Sequence, residues 1–140
     1  ADFFLGIFDT ALELGEVLVS VDIPSIGATE RVAFAELARR RGDYAMTGLA
    51  AKATVEGNTL GNLRLVFFAI ADRPLVASET MAALEGVDYS LETVTAIENA
   101  LAADLQDAIG DLHTPVETKR HLARVLVGRV LAQLVGGEGR

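Results

Sequence analysis

Two apolar runs flanking a short turn signal constrain this chain more than any other feature. "AMTGLAAKATV", residues 45–55, places Thr47, Leu49, Ala51, Ala53 and Val55 on one parity, with Lys52 and Thr54 on the other. "TLGNLRLVFFAIA", residues 59–71, alternates Leu63, Leu65 and Phe67 against Arg64. Period two sends successive side chains to opposite faces, so each run reads as a strand with one face to bury. Between them "EGN" (Glu56, Gly57, Asn58) supplies residues that accept positive φ and so predicts a β-hairpin. The second run is almost continuously apolar, which places it in the interior of a sheet.

The flanking segments extend this reading. "GEVLVSVDIP" alternates Val17, Val19, Val21 and Ile23 against Leu18, Ser20 and Asp22 and stops at Pro24, which predicts another strand. "PSIGATE" is a turn punctuated by Pro24 and Gly27. "RVAFAELARRR", residues 31–41, is rich in Ala, Glu, Leu and Arg, and propensity alone predicts a helix there. The C-terminal half is helical. Ser78 is placed to cap "SETMAALEG", which ends at Gly86. Ser90 is placed to cap "SLETVTAIENALAADL", where Val94, Ile97, Leu101 and Leu105 recur along one face. The last helix opens on a capping box, Thr114 with Glu117, and Pro115 at its first position. Leu122, Leu126, Val130 and Leu134 follow at helical spacing, and Gly136–Gly137 ends it.

Strands followed by helices predict an α+β fold, an antiparallel sheet of about four strands with three helices packed on one face. Residues 1–140 read as a single domain: a junction segment over 1–14, mainly strands over 15–72 and mainly helices over 78–136. The opening "ADFFLGIFDT" carries neither an initiator Met nor the basic and apolar regions of a signal peptide. It reads as though cut from the middle of something, which points to a fragment.

Composition narrows the function classes. The chain is 51% hydrophobic with a net charge of −8, and its mean hydropathy is +0.35. Its longest apolar run is far short of the ~20 residues that span a bilayer. No membrane span is expected, and the surplus hydrophobicity points to buried interfaces. The strong negative charge is unsuited to nucleic acid or anionic lipid. The absence of cysteine removes disulfides, a thiolate nucleophile and cysteine-ligated clusters, and is compatible with a cytoplasmic location.

Sites that carry chemistry are sparse. Neither a Walker A pattern nor G-x-G-x-x-G occurs, and "EGNTLGN" belongs to the hairpin turn. His113 and His121 are too few for zinc unless carboxylates such as Asp111 join them, and solvated or capping roles are the simpler reading. No strained elbow surrounds Ser20, Ser25, Ser78 or Ser90, so no catalytic residue is assigned. The remaining oddity is "ARRRGDYA", where an acidic chain gathers Arg39, Arg40 and Arg41 beside Asp43 and Tyr44. A solvated bend neutralised by Asp43 and Glu36 accounts for it. So does a cationic rim facing an anion or an acidic neighbouring subunit.

Four stretches, in order, carry a resemblance: "DFFLGIFDTALELGEVLVSVDIP", "FAELARRRGDYAMTGLAAK", "AIADRPLVASETMAALEG" and "ETKRHLARVLVGRVL". Together they resemble the C-terminal domain of the FAD-carrying medium subunit of molybdenum hydroxylases, the carbon monoxide dehydrogenase and xanthine dehydrogenase family. In the last stretch Arg120, His121, Leu122 and Arg129 occupy the expected places. The resemblance implies an α+β domain of one sheet and helices. It also implies that "RVAFAELARR", residues 31–40, forms a strand, and this overrides the helix expected from propensity, because tertiary context outweighs intrinsic preference.

What the resemblance implies for function is an electron-transfer oxidoreductase module, not catalytic alone. FAD would be held mostly by a preceding N-terminal domain, with the molybdenum cofactor and [2Fe–2S] clusters in partner subunits. Partners would be that N-terminal FAD domain, the iron–sulfur small subunit and the molybdenum large subunit; the isolated domain is also a candidate homo-oligomer. The flavin-proximal positions carried over are Phe34, Ala35 and Asp43. Phe34 matches an aromatic that shields the flavin ring, and Asp43 would brace the bend behind it. The chain departs from the family at Ala35 and Glu36, where polar residues near the flavin are common, and at Thr118, where an aromatic is usual. The alternative is a free-standing protein-interaction domain with the same fold and no redox role.

Overall fold

The structure is a computed structural model that describes residues 3–136. A two-stranded hairpin, β1 (Phe4–Gly6) with β2 (Asp9–Thr10), opens the chain. The main sheet has four antiparallel strands in the order β3-β4-β5-β6: β3 (Glu30–Ala38), β4 (Ala45–Glu56), β5 (Thr59–Phe68) and β6 (Leu75–Val76). Four helices follow, α1 (Ser78–Leu84), α2 (Leu91–Ala96), α3 (Glu98–Asp104) and α4 (Val116–Gly136). Gly137, expected to share in ending the last helix, lies outside the described residues.

The hairpin forms as its sequence predicts, with Glu56 opposite Thr59 and Gly57 at φ +62° in the turn. Leu49, Ala51, Ala53 and Val55 of β4 all face the core. On β5 the buried set is Leu60, Leu63, Leu65 and Phe67, a spacing of three followed by twos. A bulge produces the offset. The register slips opposite Lys52 and Thr54, and Asn62 adopts φ +48°. The carboxylate of Glu85 accepts from the Asn62 N–H at 2.9 Å, which satisfies a donor that the ladder leaves free.

Residues 31–38 lie within β3, as the resemblance implies and against the helix that propensity alone predicts, because pairing with β4 from Glu30↔Thr54 to Leu37↔Thr47 outweighs helix propensity. Two local expectations are corrected. Residues 17–23 are not a strand. No strand pairs with them among the described residues, and Val17, Val19, Val21 and Ile23 are all exposed, so the alternation has neither a ladder nor a surface to bury against. The second expected helix is divided into α2 and α3 at Ile97, whose φ and ψ of −88° and 4° interrupt it, although Ile97, Leu101 and Leu105 share one buried face as expected.

The caps differ in detail from the sequence pattern. Ser90 caps α2 in a box closed by Thr93. Ser78 is the first residue of α1 rather than its cap. The free N–H groups there are those of Glu79 and Thr80, and Asp104 at the end of α3 accepts both, at 2.9 and 2.8 Å. Gly86, at φ +71°, stops α1 as expected. No side-chain hydrogen bond joins Thr114 to Glu117 among the described residues. Asp111 instead organises the entry to α4, accepting from the N–H groups of His113 and Thr114 at 2.8 and 2.9 Å.

The helices cover one face of the sheet. Leu126, Val127, Val130, Leu131 and Leu134 of α4 are fully buried, each contributing about 2 kcal/mol. Leu122, at the head of the expected stripe, is half-buried, and Lys119 and Ala123 widen it. Among the described residues Lys119 is the one charged side chain drawn inside, at 5% exposure. Its ammonium meets Asp111 at 2.9 Å and donates to the Ala69 carbonyl at 2.8 Å, so the charge is paired on entering the core. Next to it Arg120 donates to the carbonyls of Leu105 and Gln106, at 3.1 and 3.2 Å, closing the end of α3.

The Lys119 ammonium, with the His113 and Thr114 N–H groups, lowers the Asp111 carboxyl from 3.8 to about 2. A depressed carboxyl contributes stability that is complete above its unfolded-state value and disappears as pH falls through the folded value. The wild-type chain is therefore expected to lose this contribution between about pH 4 and pH 2. Asp111→Ala should lack that step and lower stability at neutral pH by about 1–2 kcal/mol, less than for a fully buried pair because Asp111 is itself half exposed and screened by solvent. Urea denaturation of both proteins across this pH range measures it.

A candidate flavin-facing site on the open sheet face

The face of the sheet opposite the helices carries no covering element among the described residues. Register sets what it displays. Phe34 lies opposite Ala50, and Ala50 opposite Val66. Glu36 lies opposite Gly48, and Gly48 opposite Phe68. Val32, Lys52 and Arg64 complete a third row. The centre of this face is thus small and apolar, and its rim is charged.

Phe34 is 57% exposed, high for a strand aromatic. Its ring stacks on Phe68 with centroids 5.5 Å apart and planes 13° from parallel. Phe68 can lie flat there only because Gly48 is beneath it: a Cβ on Gly48 would sit 2.0 Å from the tip of the ring. Gly48 on the middle strand, Phe68 on β5 and Phe34 on β3 therefore form one stacked unit that ends in a solvent-facing π surface. Offset stacking of this kind contributes about 1 kcal/mol beyond area burial. At the start of β3, Glu30 pairs with Lys52 at 2.6 Å and accepts the Gly27 N–H at 2.8 Å; the Gly27 bond first, and then Lys52, holds its carboxyl below the usual range.

The expected site residues separate in space. Phe34 projects onto the open face. Ala35, its neighbour in the strand, faces the other way, opposite Leu49 and against the core, so its side chain does not join Phe34. Asp43 sits in the turn after β3, accepting the Tyr44 N–H at 2.9 Å and approaching Arg39 at 3.9 Å. It braces the bend as expected, beyond the end of the strand that carries Phe34. Phe68 and Gly48 were missed. Their signal was present in the sequence: in "VFF" only one of two adjacent aromatics can face the core, and a strand-interior glycine marks a close approach. Among the described residues no group of three or more His, Asp or Glu side chains gathers as a metal site. The Asp111 carboxylate is taken up by the Lys119 ammonium and by the backbone N–H groups of His113 and Thr114 rather than by either imidazole.

The sequence profile of the CO dehydrogenase flavoprotein C-terminal domain matches residues 32–134. The chain belongs to this family. It is 31% identical over 129 residues to the carbon monoxide dehydrogenase medium chain of Hydrogenophaga pseudoflava, covering 92% of this chain and 45% of that one. A solved structure of carbon monoxide dehydrogenase from the same organism, in a form lacking the Mo-pyranopterin moiety of the molybdenum cofactor, superposes with a TM-score of 0.83 at 33% identity, over 93% of this chain and 45% of that one. Quinoline 2-oxidoreductase from Pseudomonas putida 86 superposes at 0.82 with 31% identity, over 97% of this chain and 47% of that one. The chain thus spans about half the length of the relatives it matches. The family resemblance read from the four sequence stretches is borne out, as is the α+β fold with its four-stranded antiparallel sheet. No helix among the described residues is long and apolar enough to cross a membrane.

The stack makes a direct prediction. Gly48→Ala is expected to force Phe68 off Gly48 and to cost about 1–3 kcal/mol from overpacking. Adding Phe68→Ala should recover part of that loss. Thermal melts of the two variants, with near-ultraviolet circular dichroism reporting the phenylalanine environment, check both outcomes.

Proposed function

We propose that this domain is the flavin-covering half of an FAD-carrying medium subunit of a molybdenum hydroxylase, residues 1–140 forming one domain at the C-terminal part of that subunit. The observation that supports it most is the open sheet face ending in the Phe34–Phe68 stack, in a chain of the flavoprotein C-terminal family. An isoalloxazine is a flat aromatic ring system, and ligand sites for such rings are lined mainly by apolar and aromatic side chains, as this face is. Phe34 would lie against one side of it, while Ala50 and Val66 leave room around the stack. An aromatic wall of this kind excludes water from the ring and fixes its plane. When bound, the flavin supplies the relay that takes electrons from iron–sulfur clusters in a small subunit, fed in turn by a molybdenum cofactor in a large one.

The chain's own residues do the positioning. Phe68 and Gly48 hold Phe34 flat, and the Glu30–Lys52 pair anchors the outer strand that carries it. The exposed apolar segment from Leu12 to Ile26, including the alternating Val17, Val19, Val21 and Ile23, fits a junction completed by the preceding flavin-binding domain. A cytoplasmic location accords with a chain that uses no cysteine.

In the full-length flavoprotein, Phe34→Ala is expected to leave FAD content near wild type while shifting the visible flavin band. It should also speed reoxidation of reduced flavin by oxygen by about tenfold, since the ring loses its shield. Phe34→Tyr should behave as wild type. A full-length protein that binds no flavin, or a Phe34→Ala variant with unchanged spectrum and reoxidation rate, would overturn the reading.

A further inference from the structure

We propose that the β3–β4 turn and the loop preceding α4 form a docking site for an acidic segment of a partner polypeptide. The two loops enclose a shallow cavity of about 310 Å³, lined by Arg39, Tyr44 and Met46 on one side and by Leu112 and His113 on the other. Each loop is held by its own carboxylate. Asp43 accepts the Tyr44 N–H and approaches Arg39. Asp111 accepts two backbone N–H groups and the Lys119 ammonium. The carboxylates lining the cavity are therefore committed to backbone and to their own cations.

What the loops turn outward is different in kind. Arg40 and Arg41 are exposed, and among the described residues neither has a carboxylate within 4.0 Å. Tyr44 is 95% exposed and Leu112 93% exposed, flanking the cavity. Arginine and tyrosine are the side chains that most often anchor protein interfaces, and a braced loop loses little freedom on binding. A local cluster of cations on a chain of net charge −8 selects a carboxylate-bearing partner, since arginine pairs with carboxylate through two parallel hydrogen bonds. Polyanions such as nucleic acid meet the repulsion of the whole chain, whereas a short acidic segment meets mainly the patch, because charges beyond about 8 Å are screened at physiological salt. The segment that fits carries two carboxylates for Arg40 and Arg41, and an apolar side chain for the cavity beside Tyr44 and Leu112.

The inference rests on the reading above, in which the chain works inside a larger assembly. The experiment uses the full-length polypeptide purified with the subunits that accompany it. Arg40→Glu with Arg41→Glu is expected to weaken association at least tenfold and to lower the salt concentration at which the complex dissociates in sedimentation, with flavin content unchanged. Arg40→Lys with Arg41→Lys should fall between wild type and the charge-reversed pair, since lysine keeps the charge but not the two parallel hydrogen bonds. Tyr44→Ser with Leu112→Ser should weaken association without altering its salt dependence, and this pair carries the test if charge reversal prevents folding. Unchanged affinity in the charge-reversed and Tyr44/Leu112 variants, with flavin and partners present, overturns the docking site and leaves the flavin-covering role standing. Loss confined to self-association, or to binding of anionic vesicles or inorganic pyrophosphate, overturns it by assigning the patch to another occupant. A full-length protein that purifies without flavin or companions overturns both readings.

Discussion

The structure depends on one-sided burial of a small antiparallel sheet. Leu49, Ala51, Ala53 and Val55 on β4 and Leu63, Leu65 and Phe67 on β5 can leave water only if helices cover that side, and α4 supplies most of the cover. Because side chains alternate, the same register that buries these residues commits Phe34, Ala50, Val66 and Phe68 to the other face. A single-residue slip of β3 would send Phe34 inward and Ala35 outward. The core and the open face are thus two consequences of one pairing register, and the proposed flavin wall inherits its precision from the core behind it.

Polar groups enter this fold where backbone needs them rather than as a reaction centre. Asp104 closes the start of α1, Glu85 the bulge in β5, Asp111 the entry to α4 and Asp43 the β3–β4 bend. Asp104 and Glu85 do so across distant segments, Asp111 and Asp43 within their own turns, and each accepts backbone N–H groups that no ladder or helix bond takes up. Lys119 does the reverse work, taking the Ala69 carbonyl inside the core while Asp111 balances its charge. These four carboxylates are thereby committed to backbone, which suits the proposed flavin-covering role.

Much of this was legible in the residues. The hairpin, the helical C-terminal half and the one-sided α+β layering follow from periodicity, turn residues and the order of elements. The family was legible from four ordered stretches, and Phe34 from its place in one of them. Less legible were features that depend on who neighbours whom. Residues 31–38 carry helix-forming composition, yet they pair along β4 for their whole length. Residues 17–23 have the pattern of a strand with nothing beside them to pair. Phe68 became a site residue only when Gly48 was seen beneath its ring.

By itself, then, the sequence determined which segments have an apolar face to bury, where the chain turns and to which family it belongs, because those follow from local periodicity, backbone freedom and the order of motifs. Tertiary structure alone decided which face each aromatic occupies, which carboxylate closes which helix, and which arginines have no carboxylate beside them among the described residues. The reason is physical. Hydrogen-bond satisfaction and stacking act between segments far apart in the chain, and no local pattern encodes the register that brings them together.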